Sequence, residues 1–204
     1  MKKLKVEIRA DNTVHIEGYV NAVGRDSRVL PSPMGRFVEQ VEPRAFEKAL
    51  SSGKTVQLKH NHERALGSTS DGSLSLHEDA IGLYAKAVTS DQIIRERAKN
   101  GELRGWSFGF SNPVEGREEN TAAGVPRRIL RSFDLAEVSI IDNTKTPCYV
   151  GTSIEVRGTE NVEVETRAFE DAVETKDLSK TPGKPEFSHL DREIEFLKLK
   201  GECR

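Results

Sequence analysis

Residues Arg104-Gly105-Trp106-Ser107-Phe108-Gly109-Phe110 decide how this chain is to be read. In an extended strand, successive side chains point to opposite faces, so Trp106, Phe108 and Phe110 share one face and Ser107 and Gly109 the other. The large aromatics anchor the strand in a core. The other face presents a small hydroxyl beside a residue with no side chain, which gives a nucleophile the room to meet a carbonyl. A serine on the open face of a strand is ordinary in itself, and it needs a base before it can do chemistry.

The candidate base lies upstream in Lys59-His60-Asn61-His62-Glu63, where strand spacing turns His60 and His62 to the same side. The same residues could ligate a metal, and a metal-dependent hydrolase on His60 and His62 is one reading of them. No further histidine, cysteine or carboxylate completes a recognised metal spacing, so base catalysis is the stronger reading and no cofactor or metal is expected. A third group should orient the histidine and offset the imidazolium charge. In Phe133-Asp134-Leu135-Ala136-Glu137-Val138-Ser139-Ile140-Ile141 the candidate is Glu137, a carboxylate in an otherwise apolar strand that must find a partner if buried. Asp134, nearer the strand start, reads as solvated.

On either side of these motifs the chain reads as short strands. Leu4, Val6 and Ile8, then Val14 and Ile16, alternate with polar residues around Asp11-Asn12 and predict an opening hairpin. Gly24 to Gly35 reads as a loop, and Pro43 to Leu50 as a short helix begun by proline. Thr55–His62, Leu74–His77 and Gly82–Val88 follow as strands, and Asp91–Asn100 as a helix capped by Ser90 or Asp91 and stopped at Gly101. Leu103–Phe110 and Arg127–Ile141 are strands, the polar stretch Asn112–Pro126 between them an exposed loop, and Arg127-Arg128 a solvated strand end. Beyond about residue 153 the composition shifts to Glu, Thr, Lys and Pro with few apolar anchors. Residues 1–153 are therefore expected to form the folded domain, and 154–204 an acidic, disordered tail ending in a short helix over Leu190–Lys200.

At 204 residues the chain has room for one domain and an extension. Its 31 basic and 33 acidic residues give a net charge of −2, so no global field draws it to nucleic acid or to an anionic membrane. No apolar run approaches the roughly 18 residues that span a bilayer, and a soluble protein made in a cytoplasm is expected. Cys148 and Cys203 read as reduced thiols.

The order of His62-Glu63 with Leu66-Gly67, then Gly82-Leu83-Tyr84, then Gly105 to Phe110, then Asp134 to Ser139 resembles the prohead proteases of tailed phages. Phe37-Val38-Glu39 and Pro43-Arg44-Ala45-Phe46 extend the resemblance over roughly Gly18 to Pro147. That family is similar in fold to herpesvirus assemblins, which implies a mainly β chain with a few helices: an antiparallel β-barrel surrounded by short helices. The resemblance implies Ser107 as nucleophile and His62 as base. Assemblins have a second histidine as the third member, where this chain has Glu137, with His60 as the alternative orienter. It also implies a serine endopeptidase acting in the assembling prohead in the host cytoplasm. Its substrates would be the scaffold protein, the scaffolding segment of the major capsid protein and the protease itself, and a homo-oligomer is compatible with that setting. A noncatalytic capsid-assembly factor on the same fold is the rival from another class.

Overall fold

The computed structural model describes residues 4–33, 35–119, 121–122, 124–144, 157–158, 163–170 and 172–179. The stretch Leu190–Lys200 and both cysteines, Cys148 and Cys203, lie outside the described residues. The opening hairpin forms as its alternation predicts. Strand β1 (Leu4–Ile8) buries Leu4, Val6 and Ile8, and pairs antiparallel with β2 (Val14–Ala22). Asn12 takes a left-handed φ of 66° in the turn, and the Asp11 carboxylate accepts from the Thr13 amide at 3.0 Å.

The chain continues through β3 (Leu30–Ser32), inside the expected loop, and β4 (Gly35–Val41) to helix α1 (Ala45–Ser51). Strands β5 (Gln57–His60), β6 (Arg64–Ser68), β7 (Leu74–Glu78) and β8 (Gly82–Thr89) lead to helix α2 (Gln92–Lys99). Both helices are capped by acids. For α1 the acid comes from a distant strand: Glu78 accepts from the backbone amides of Arg44 and Glu47 at 2.6 and 2.7 Å. For α2 it is Asp91, which accepts from the Ile94 amide at 2.9 Å, as the sequence predicts.

The long strands β9 (Leu103–Glu118) and β10 (Arg127–Asp142) follow, then β11 (Arg157–Gly158), β12 (Glu163–Glu170) and β13 (Val173–Asp177). The fold is α+β and mostly β. One sheet has the order β13-β1-β2-β8-β7 and the other β11-β12-β9-β10-β4-β3, with β5 also on β10 and β6 on β5. The expected closed barrel is not formed, because no ladder joins the two sheets among the described residues. The crossover β4-α1-β5 explains the departure from an antiparallel barrel. It places β4 and then β5, both parallel, along a single edge of β10.

Two more expectations are corrected. Asn112–Glu118 is not loop but the far half of β9, paired with Arg127–Ser132. This ribbon is exposed, so polar side chains on both faces hide its strand character. Within the acidic extension, Glu163–Glu170 pairs antiparallel with β9 and Val173–Asp177 pairs parallel with β1. Edge pairing supplies backbone hydrogen bonds that composition does not report.

The core fills from both sheets. Phe46 of α1 meets Phe108 and Phe133 edge-on at centroid distances of 5.2 and 5.1 Å, and Phe110 lies 5.1 Å from Phe133. Phe46 is completely buried, so Phe46→Ala is expected to cost about 3 to 5 kcal/mol. Urea unfolding of the variant measures the loss, and a cost under about 1 kcal/mol would refute this packing.

Candidate active site

Strand β10 carries two buried carboxylates, and the turn after β5 supplies partners to both. Glu137 is 3% exposed and Asp142 is 1% exposed. Parallel pairing of β5 with Glu137–Ile140 ends at His60, where Asn61 and His62 take left-handed φ values of 52° and 66°. These consecutive left-handed residues send the two histidines to different acids, where an unbroken strand would have kept them on one side. His60 Nε2 lies 2.9 Å from Asp142 Oδ2, and His62 Nδ1 lies 2.5 Å from Glu137 Oε1.

Asn61 fixes the turn. Its Nδ2 donates to Asp142 Oδ1 at 2.9 Å and to Thr144 Oγ1 at 3.2 Å, and its Oδ1 accepts from the Asp142 amide at 3.2 Å. Asparagine tolerates the left-handed region better than other side chains, which suits it to this position. Asp142 also accepts from the Thr144 amide and hydroxyl and lies 3.4 Å from Arg97 Nε. His60 thus belongs to a structural clasp and does not touch His62's acid.

Burial pushes the Glu137 carboxyl up, but hydrogen bonds from His62 and Lys59 outweigh it and hold the group below the ordinary glutamate range. Glu137 therefore stays an acceptor at neutral pH, so His62 Nδ1 carries the proton between them, and in the neutral imidazole this tautomer leaves the lone pair on Nε2. Lys59, on the same strand as His60, binds the second oxygen of Glu137. The sequence alone assigns it no chemical role, although its place directly before His60 is a signal for one.

Register brings the serine to the same face as this acid. In the β9–β10 ladder Ser107 lies opposite Ser139, and Gly109 lies opposite Glu137. A β-carbon on Gly109 would come within 2.8 Å of Glu137 Cγ, so the absence of a side chain there lets the carboxylate lie across the strand. The face is not open, however. Ser107 has no exposed surface, and its hydroxyl donates to the Arg167 carbonyl of β12 at 2.7 Å rather than to His62. The structure therefore joins His62 to Glu137 and puts Ser107 on their sheet face, its proton engaged elsewhere.

Two acidic–basic contacts near β12 also escape the sequence. Arg128 is not a solvated strand end: it binds Glu39, Glu115 and Glu165. Arg167 is buried against Glu39. A recess of about 350 Å³ between the β3–β4 and β9–β10 ribbons, lined by Phe37, Arg117 and Arg127 among others, contains neither Ser107 nor His62.

Burial pushes the Asp142 carboxyl up, but hydrogen bonds from Thr144, Asn61 and His60 prevail and hold it well below the usual aspartate value. Its contribution to stability is therefore complete above about pH 4 and lost as pH falls below that. Asp142→Asn should cost about 3 kcal/mol at pH 7 and flatten the decline of stability with acid below about pH 4. Denaturant titrations across pH test this, and an unchanged acid slope would remove Asp142 from the balance.

Comparison with known proteins bears on what this arrangement does. No curated protein and no solved structure matches the chain. A family model described as caudovirus prohead serine protease matches residues 2–167, a span that holds β1 to β11 and the residues of the candidate site. With most of its length matched, the chain belongs to the caudovirus prohead serine protease family.

Proposed function

We propose that this chain is the endopeptidase that matures a phage prohead, with Ser107 as nucleophile, His62 as general base and Glu137 as the acid that orients the base. Capsid maturation by a serine-type peptidase is the role of the family to which it belongs. Its substrates are the scaffold protein or the scaffolding segment of the major capsid protein, together with the protease itself. The work is done inside the assembling shell in the host cytoplasm, where copies of the enzyme are packed together. Among the described residues no helix is long and apolar enough to cross a membrane.

One observation carries this reading: the hydrogen bond of 2.5 Å between His62 Nδ1 and Glu137. An ionised glutamate on Nδ1 fixes the tautomer in which Nε2 is the free base, and it stabilises the imidazolium once a proton arrives. His62 takes the Ser107 proton as the hydroxyl oxygen adds to the substrate carbonyl. The imidazolium then protonates the departing amine, and a water activated by the same histidine releases the acyl group. Lys59 places a cation on the other oxygen of Glu137, which keeps the carboxylate ionised through the cycle.

Co-expression with the capsid and scaffold proteins, followed by mass spectrometry of the products, tests the assignment. Ser107→Ala should abolish processing, and His62→Ala should lower it by about 10⁴-fold or more. His60→Ala should weaken the fold yet leave processing measurable, and the reverse ranking of the histidines would transfer the base role. Gly109→Ala should keep the fold but push Glu137 aside, at a cost of about a hundredfold in kcat/KM. Full activity in that variant would show that the orientation of Glu137 does not matter.

A further inference from the structure

β12 fills the one position in the sheet that a substrate strand needs. Ser107 is on β9, and the other edge of β9 is taken by β10, so an extended peptide can add antiparallel beside the serine only where β12 lies. In this register Ala168 is opposite Ser107 and Arg167 is opposite Phe108. The Ser107 hydroxyl donates to the Arg167 carbonyl at 2.7 Å. The carbonyl that meets the nucleophile is therefore the one belonging to the Arg167–Ala168 peptide bond.

A built pocket receives the side chain of that residue. Arg167 is 2% exposed, and Glu39, itself 3% exposed, accepts from its Nε and Nη2 at 2.7 Å each. The guanidinium carbon stands 5.4 Å from the Phe110 ring centroid. Arg128 binds Glu39 at 3.0 Å, so the acid is anchored by a residue outside β12. A buried arginine–carboxylate pair contributes little net stability, because removing both charges from water offsets their attraction. It contributes selectivity: a planar cation satisfies both oxygens, and a neutral side chain leaves Glu39 with Arg128 on Oε2 and removes the cation from Oε1.

We infer that β12 is a built-in substrate strand, that the active site takes a basic residue, arginine above lysine, on the acyl side of the cut bond, and that Glu39 selects it. This rests on the serine-protease reading given above. The first bond cut is Arg167–Ala168 of the chain itself. Ser107 Oγ bonds to the Arg167 carbonyl carbon, the C–N bond to Ala168 breaks, and the serine proton passes through His62 to the departing amine. Water then splits the ester: its hydroxyl completes the Arg167 carboxylate, and its proton returns through His62 to Ser107. While β12 is seated Ser107 is fully buried, so other substrates enter after this strand has been cut and has left.

The full chain and its Ser107→Ala variant, each incubated with capsid and scaffold proteins, are analysed by mass spectrometry for chain ends. New ends at Arg167 and Ala168 are expected in the first and not in the second. Peptides of residues 163–170 with position 167 as Arg, Lys, Ala or Glu are offered to the full chain. The Arg peptide should exceed the Ala peptide by about tenfold or more in kcat/KM, with Glu poorest. E39Q should bring the Arg-to-Ala ratio toward one, chiefly through KM, an effect that a merely structural role for Glu39 does not produce. A chain that processes capsid or scaffold protein through Ser107 without cutting after Arg167, or that shows no preference for a basic residue, overturns this inference and leaves the protease reading intact. Absence of any Ser107-dependent cleavage removes both. If E39Q fails to fold, the peptide series on the unaltered chain decides.

Discussion

A carboxylate cannot be withdrawn from water without donors to replace it, and β10 withdraws both Glu137 and Asp142. Much of the local architecture follows from that demand. Parallel pairing of β5 with β10 brings Lys59, His60, Asn61 and His62 alongside the acids, and the left-handed backbone at Asn61 and His62 divides the histidines between them. One acid is satisfied by a clasp of asparagine, threonine and histidine that holds the turn. The other is satisfied by a lysine and by the histidine proposed as the base. The clasp thus sets the backbone from which the base projects, and local strain is held by buried hydrogen bonds.

Much of this was legible in the residues. Alternation found β1 and β2, the capping signals found α2, and the Trp106-Ser107-Phe108 pattern found the strand that bears the serine and its aromatic anchors. Glu137 stood out because a charge inside an apolar strand demands a partner, and His62 is that partner. What stayed hidden depends on pairing between distant segments. Period-two reasoning put His60 and His62 on one side because it assumed an unbroken strand, and no local pattern announces two left-handed residues in succession. Polar composition masked the outer half of β9, since an exposed ribbon has no apolar face to betray it. Closure of the sheets depends on which edge each strand joins, and the sharing of one β10 edge by β4 and β5 is not written in either strand.

The acidic extension shows the same limit from the other side. Few apolar residues mark 163–170, yet β9 offers an unpaired row of backbone groups, and Glu39, Arg128, Glu165 and Arg167 form a partly buried charge cluster beside it. Composition counts apolar area and misses a strand held by ladder hydrogen bonds and charge. Burial pushes the Glu165 carboxyl up, but Arg128 and Arg167 draw it down to about 2, so the cluster keeps its charges well into acid.

Strand β13 pairs with β1 in parallel, Leu4 opposite Val173 and Ile8 opposite Asp177, so β1 leaves the ribosome long before the strand that covers its edge. Loop closure over nearly the whole chain is slow compared with forming the β1–β2 hairpin. Until β13 has been made the outer edge of β1 therefore stands unpaired, and an unpaired edge invites a neighbouring nascent chain to add to it. Completion of this sheet consequently waits on a strand made far downstream, and the yield of well-formed protein should depend on how crowded the polysome is as well as on the stability of the finished fold.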